Sequence, residues 1–334
     1  MTDPMELQLV ARDCCAWPVL ARRSDGALLL VHFNRPSHGR EEGDLVALAS
    51  TDDGATWSEA GTPAPHDPGT NRMHLAVGCD PAGDWIVLST GFRFAGTAWA
   101  GLDSLWCSRS IPLGNNWCIQ RQVQVASPES WLIPHGRIHA LRDGRLAAVF
   151  YHADGPKGPS RAWLAFSRDQ GGTWHDATPV GDSDTNEVVV LPRSTGEWLA
   201  VARTQLDHHL VLWRSRDEGR SWISPTAITD SMQHPGDLTA VDGDRIVLTY
   251  GIRNRGKTGI GARLSTNGGQ TWGAPVVLAR FDNATDCGYP STVRGTDGQM
   301  LTACYSNASA MAEGYHLLLI RWGLDRLETN PPNL

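Results

Sequence analysis

Charged and aromatic residues recur in this chain at one position of a repeating unit, where a plain strand would carry aliphatic side chains. Trp17, Asn34 and Arg35 fall there in the first unit, Arg72, His74 and Arg93 in the second, and His135, Arg137 and His152 in the third. Asn186, Glu187 and Arg203 follow in the fourth, His234, Tyr250, Arg253 and Arg255 in the fifth, and Asp286, Tyr289 and Tyr305 in the sixth. Side chains of these types bind anions and move protons. Arginine grips a carboxylate through two parallel bonds. Histidine and tyrosine serve as acid and base. One chemistry open to such a set is elimination from a uronate. Arginine would neutralise the carboxylate and acidify the neighbouring proton, and His74, His135, His152 or His234 would remove it with tyrosine's help. His135 and His139 share a strand face, but no spacing supplies a third ligand, so no metal and no cofactor is expected. Trp17, Trp99 and Trp131 fall near the same face, and an indole is a platform for a sugar ring.

The elements that must position these residues are short and repeated. Six stretches, beginning at Trp17, Met73, Pro134, Asn186, His234 and Tyr289, each pair an apolar run with a tight turn and a second apolar run. Asp25-Gly, Asp143-Gly and Asp297-Gly mark three of the turns. This is the pattern of a β-hairpin. A third strand follows, as in Asp44 to Ala49, Ala162 to Phe166 and Leu210 to Trp213. Four strands per unit and six units predict an all-β, six-bladed propeller in a single domain over residues 1–334. The first strand of each blade then lines a central channel, and the candidate residues open on one mouth of it. Leu7 to Ala11 stands alone before the first unit and is expected to close the last blade, which removes an open sheet edge. The insertion Phe92 to Leu102 is expected to overhang the mouth as a loop.

A second motif closes the third strand of several units. Ser50 to Trp57, Ser167 to Trp174, Ser215 to Trp222 and Ser265 to Trp272 follow Ser-x-Asp-x-Gly-x-Thr-Trp, with Asn267 in place of Asp in the last, and Ser108 to Trp117 is a worn copy. Its carboxylate can accept bonds from the turn's own N–H and hydroxyl groups. Its glycine supplies a positive φ, and its indole fills space below. The motif is similar to the Asp box of sialidase-like propellers, and the resemblance covers nearly the whole chain. Asn186-Glu187-Val-Val-Val-Leu and the strand ending at Arg203 resemble the family segment that carries the catalytic glutamate and one arginine of a carboxylate-binding triad. Gly288-Tyr289-Pro-Ser resembles the segment with the nucleophilic tyrosine, and Arg253, or less well Arg255, falls where another triad arginine would lie. The resemblance implies a glycosidase acting on an acidic sugar, with Tyr289 as nucleophile, Glu187 taking its proton, and Arg203 and Arg253 holding the carboxylate. Position at the channel mouth, independently of the resemblance, makes Arg93, His74, Arg137, Trp17, Tyr250, Asp286 and Tyr305 candidates for binding the sugar.

The chain departs from that family at two places. Its Arg-Ile-Pro motif is here Ala16-Trp17-Pro18, so one arginine is missing. Its acid/base aspartate has no counterpart in Ser37-His38-Gly-Arg40-Glu41-Glu42, where His38, Glu41 or Glu42 are the candidates. A uronate lyase using the channel histidines with tyrosine and arginine, or a carbohydrate-binding propeller without catalysis, are the competing readings. Composition narrows the partners. A net charge of −7 with no basic or acidic block argues against a nucleic-acid surface or a polybasic membrane anchor. No basic segment leads into an apolar one near Met1, and the seven cysteines show no metal-ligand spacing. Free thiols in a cytoplasmic protein are therefore expected.

Overall fold

The computed structural model describes residues 5–111, 116–129, 132–153, 160–182 and 184–328. Their antiparallel strands form six four-stranded blades. Blade I holds Cys15–Arg22, Leu28–Phe33, Leu45–Ser50 and Ser58–Glu59, from channel to rim. The inner strands of blades II to VI are His74–Cys79, Ile133–Ala140, Thr185–Pro192, Gln233–Asp242 and Cys287–Arg294. The second strands are Trp85–Thr90, Leu146–Ala153, Trp198–Thr204, Arg245–Ile252 and Met300–Ala308. These lie between neighbouring blades and are covered on both faces, which is why they read as unbroken apolar runs. Every residue of Leu28–Phe33 is buried, His32 included.

Two features close the ring. Glu6–Arg12 pairs antiparallel with Glu313–Trp322, placing Glu6 opposite Arg321 and Arg12 opposite His316, so the early strand completes blade VI as expected. Between blades II and III the inner strands themselves pair in parallel, with Gly136 opposite Ala76 and Arg137 opposite Val77, and with the short strand Gln124–Val125 added along the outer strand of blade III the two blades become one nine-stranded sheet. Gly78 permits that approach, because a Cβ there would sit 2.2 Å from the Ile138 carbonyl oxygen. Among the described residues, no helix is long and apolar enough to cross a membrane.

The box turns fold on themselves. In the second copy, Ser167 Oγ donates to Asp169 at 2.8 Å and accepts from the Gly171 amide at 2.8 Å. Asp169 in turn accepts from the Thr173 amide at 2.9 Å and its hydroxyl at 2.7 Å. Trp174 packs beneath, fully buried, with its indole N–H on the Gly171 carbonyl at 3.1 Å. The insertion after blade II's second strand is a β-hairpin rather than a loop. Phe92–Ala95 pairs with Ala98–Leu102 through a two-residue Gly96-Thr97 turn, and Gly96 takes a positive φ of 65°.

Candidate active site

Five of the six inner strands break register near their start: between Cys15 and Val19, His135 and His139, Asn186 and Val189, Gln233 and Gly236, and Gly288 and Ser291. A bulge re-aims the side chain it carries. At three of them that residue holds a left-handed backbone: Trp17 at φ 38°, Glu187 at 46° and Tyr289 at 49°. Such conformations cost about 1–3 kcal/mol each for a residue with a Cβ. The fold sustains three of them at its axis, and the side chains they aim meet one another.

Tyr289 donates its hydroxyl to Glu187 Oε1, and Arg203 Nη1 donates to Glu187 Oε2 at 2.7 Å. Tyr289 is 7% exposed and Glu187 5%. Burial alone would raise the Glu187 pKa, but the Arg203 guanidinium, His135 and the Tyr289 hydroxyl outweigh it and hold the carboxyl down to about 2. Burial and the adjacent Glu187 carboxylate push the Tyr289 phenol well above its ordinary value. The resting pair is therefore an ionised glutamate and a neutral tyrosine.

A second cluster stands beside the first. Asp286 Oδ1 accepts from Arg253 and from the Tyr305 hydroxyl at 2.9 Å, and Oδ2 accepts from the Tyr315 hydroxyl at 2.9 Å and His38 Nδ1 at 3.1 Å. Burial opposes its charge, yet the His38 bond and Arg253 bring its pKa down to about 2. The guanidinium of Arg253 lies 5.8 Å from the Tyr289 ring centre, and the Tyr305 ring lies 6.0 Å from it. Trp17 makes the third wall. Its ring is 5.2 Å from Tyr289, stacks on His74 at 5.1 Å and meets His38 edge-on at 5.0 Å. His135 stands 6.3 Å from Tyr289. Burial above all drives His74 and His234 down to about 3 and lowers His135 as well, so these imidazoles are neutral near pH 7.

Beside these groups opens a cleft of about 690 Å³, lined among others by His38, Arg40, His74, Phe92, Trp99, Tyr151, Asn186 and Arg203. Trp17, Glu187 and Tyr289 face a smaller cavity of about 30 Å³ at the axis, which His74 and Tyr151 also line. Among the described residues, several buried polar atoms here lack a hydrogen-bond partner: His74 Nε2, Asn186 Oδ1, Arg203 Nε and His234 Nδ1. A buried polar atom left unpaired costs about 1–3 kcal/mol, and the polar groups of a bound ligand would satisfy such atoms.

Three expected site residues lie elsewhere. Tyr250 is 1% exposed and packs in the core between blades IV and V with Val201, Leu210 and Leu248, because its strand position alternates away from the channel. Arg93 shares a strand with Phe92 and Phe94. Those two face the cleft, so Arg93 points the other way, into a separate groove with Asp103 and Glu129. Arg137 sits deep in the channel, where it binds Asp237 at 2.6 Å and the carbonyls of Leu238 and Thr292, and it clasps blades together rather than facing the cleft. Trp131 lies outside the described residues. The cleft in turn gains Tyr151, one residue before the expected His152, and the Asp286 cluster gains Tyr315 from a third strand. Strand alternation could have found Tyr151; nothing local marks Tyr315 or the buried Asn71.

Residues 71–301 match the BNR repeat-like domain. No curated protein matches the chain. Among solved structures, a protein of unknown function from Dyadobacter fermentans is 20% identical with a TM-score of 0.80, over 96% of this chain and 98% of that one. The Hadza microbial sialidase Hz136 is 22% identical with a TM-score of 0.76, over 96% of this chain and 68% of that one. A mutant Trypanosoma rangeli sialidase displaying trans-sialidase activity is 14% identical with a TM-score of 0.70, and this chain spans 60% of its length. At these identities the likeness is one of fold. With its box turns, its six blades and the match over residues 71–301, the chain belongs to the BNR repeat-like family, and its fold is that of the sialidase propellers.

Proposed function

We propose that this protein is a retaining glycoside hydrolase that removes an acidic sugar from the end of a glycan. The observation that carries the reading is the Tyr289 hydroxyl donated to Glu187, with Arg203 fixing the glutamate from its other oxygen. In the first step Tyr289 Oη bonds to the anomeric carbon and its proton passes to Glu187. The glycosidic bond breaks, and the leaving oxygen takes a proton from His38. In the second step water attacks the same carbon, giving its proton to His38, and the tyrosyl bond breaks as the phenolate recovers its proton from Glu187. Asp286 accepts from His38 Nδ1, which fixes the ring and leaves Nε2 available to the substrate. Arg203 keeps Glu187 ionised between turnovers. A neutral phenol is an apt nucleophile for an anionic sugar, because a carboxylate nucleophile would be repelled.

Two other readings draw less support. For a uronate lyase, a histidine and tyrosine should face the substrate with an arginine between them. His135 instead meets the Tyr289 ring at 6.3 Å, and the tyrosine's proton is committed to Glu187. A binding propeller without catalysis has no need of a tyrosine–glutamate pair held by strained backbone. The test is a panel of fluorogenic acidic glycosides, assayed beside detection of unsaturated, ultraviolet-absorbing products. Release of the fluorophore with no unsaturated product supports hydrolysis; an unsaturated product makes the enzyme a lyase.

A further inference from the structure

The inner arginines are already committed to carboxylates of the protein: Arg203 to Glu187 and Arg253 to Asp286. Their charges cancel in pairs, so these two ion pairs offer an incoming anion little net attraction. Arg40 differs. It lines the same cleft, is exposed, and among the described residues has no hydrogen bond or ion pair.

Its backbone is nevertheless held fast. Asn71 is fully buried, and its Nδ2 donates to the carbonyls on either side of Arg40, Gly39 at 3.1 Å and Glu41 at 3.2 Å. Its Oδ1 accepts the Phe92 amide at 2.8 Å, which ties the same loop to the overhanging hairpin. Gly39 holds φ at 70°, and a Cβ there would lie 2.1 Å from Met73 Sδ, so the loop is seated directly on the core. The Arg72 amide donates to the Gly43 carbonyl at 2.9 Å and anchors its far end. A cation on a rigid loop, lining a cleft and without an ion-pair partner among the described residues, is preorganised for an anion from outside.

We propose that Arg40 is the specificity-determining cation of this cleft, holding the carboxylate of an acidic sugar from the rim, and that Asn71 is its positioning residue. The proposal rests on the reading of the cleft as a sugar site. It assigns the substrate's charge to a loop outside the channel, where sequence comparison with a channel arginine would not look.

The test is calorimetric binding of free glucuronate and N-acetylneuraminate, with glucose and N-acetylmannosamine as neutral counterparts. For both acids, Arg40→Ala should raise Kd by about 10- to 100-fold, the worth of a charge-assisted bond. The neutral sugars should be unaffected within about twofold. Arg40→Lys should recover part of the loss, since the charge returns without the fork. Asn71→Ala should weaken the acids selectively, and Arg40→Ala on top of it should add little. Raising sodium chloride from about 50 to about 500 mM should weaken acid binding to the wild type but not to Arg40→Ala. The proposal is overturned if Arg40→Ala binds the acids as the wild type does, if it loses acidic and neutral sugars equally, or if the wild type binds neither acid. These readings need no turnover, so failure of the hydrolase mechanism would show separately, as activity retained in Tyr289→Phe.

Discussion

At the rim of the propeller, four turns repeat the same bonds almost atom for atom; at the inner ends of the blades, no two bulges present the same side chain to the axis. The amide four residues after the box serine's second successor meets its carboxylate or amide oxygen at 2.9 Å in all four copies, Asn267 included. Every partner in that turn is supplied within eight residues. The bulges carry Trp17, Glu187 and Tyr289, and each finds its partner on a different blade: Glu187 and Tyr289 are 102 residues apart. A motif that satisfies itself locally can be repeated without regard to its neighbours, so it builds the fold. A polar group that must be satisfied across the axis ties blades to one another and to a ligand, so it builds a site.

If this division holds, substitutions at the axis should remove activity and leave folding alone, and those at the rim should do the reverse. The largest effect is expected from Tyr289→Phe, which should lower kcat by about a thousandfold or more with an unchanged melting temperature, measured by steady-state rates on the fluorogenic panel. Glu187→Gln should cost about 10²- to 10⁴-fold, as the loss of a general base does. It should also abolish the dependence of rate on the glutamate's ionisation in the acid limb of the pH profile. At the rim, Trp174→Ala should cost about 3–5 kcal/mol in urea unfolding, because a fully buried indole is replaced by a cavity. Its rate per folded molecule should stay within about twofold. Activity lost in step with stability would show that rim and axis are one cooperative device.

The buried histidines sharpen the comparison through pH. Burial above all holds His32 and His139 down to about 4 and His74 and His234 to about 3, and these four lie in the blades and channel rather than at the rim. In the unfolded chain an imidazole titrates near ~6.5. Between that value and about 4 the unfolded chain therefore binds protons that the folded one refuses. Stability is full above that window and falls as pH drops through it, by up to about 5 kcal/mol per pH unit if all four act together. Urea midpoints at about pH 7.5 and about pH 5.5 would measure this; equal midpoints would mean the histidines are reached by water. The smallest effect belongs to Ser167→Ala. It should cost about 1–3 kcal/mol by leaving the buried Gly171 amide without its acceptor, with kcat unchanged.

The rim turns were legible in the sequence, because their logic is local: Ser, Asp, Gly and Trp at fixed spacing specify each turn, while the six hairpin units and the lone strand before them gave six blades and the closing strand. The axis was legible only where strand position decides orientation. Glu187, Arg203 and Tyr289 fall together as their positions implied, and so do Asp286 and Tyr305, to which the loop after the first hairpin brings His38. Tyr250 and Arg93 fail for one reason, since a single step along a strand turns a side chain to the opposite face. Arg137 points inward as expected but is taken up by Asp237 and main-chain carbonyls, a partner choice that no one-dimensional pattern encodes. Asn71 and Tyr315 act through bonds to loops far away in the chain, Gly39 and Asp286 respectively, and carry no mark of their own.

The central claim is that Tyr289 forms a bond to sugar. An acidic glycosyl fluoride, fluorinated beside its anomeric carbon so that the second step is slowed, should trap that state. Mass spectrometry of the digested protein should then find one sugar on the peptide containing Tyr289, and none in Tyr289→Phe. An unlabelled wild-type protein that still turns the reagent over, or a label on any other residue, would contradict the account.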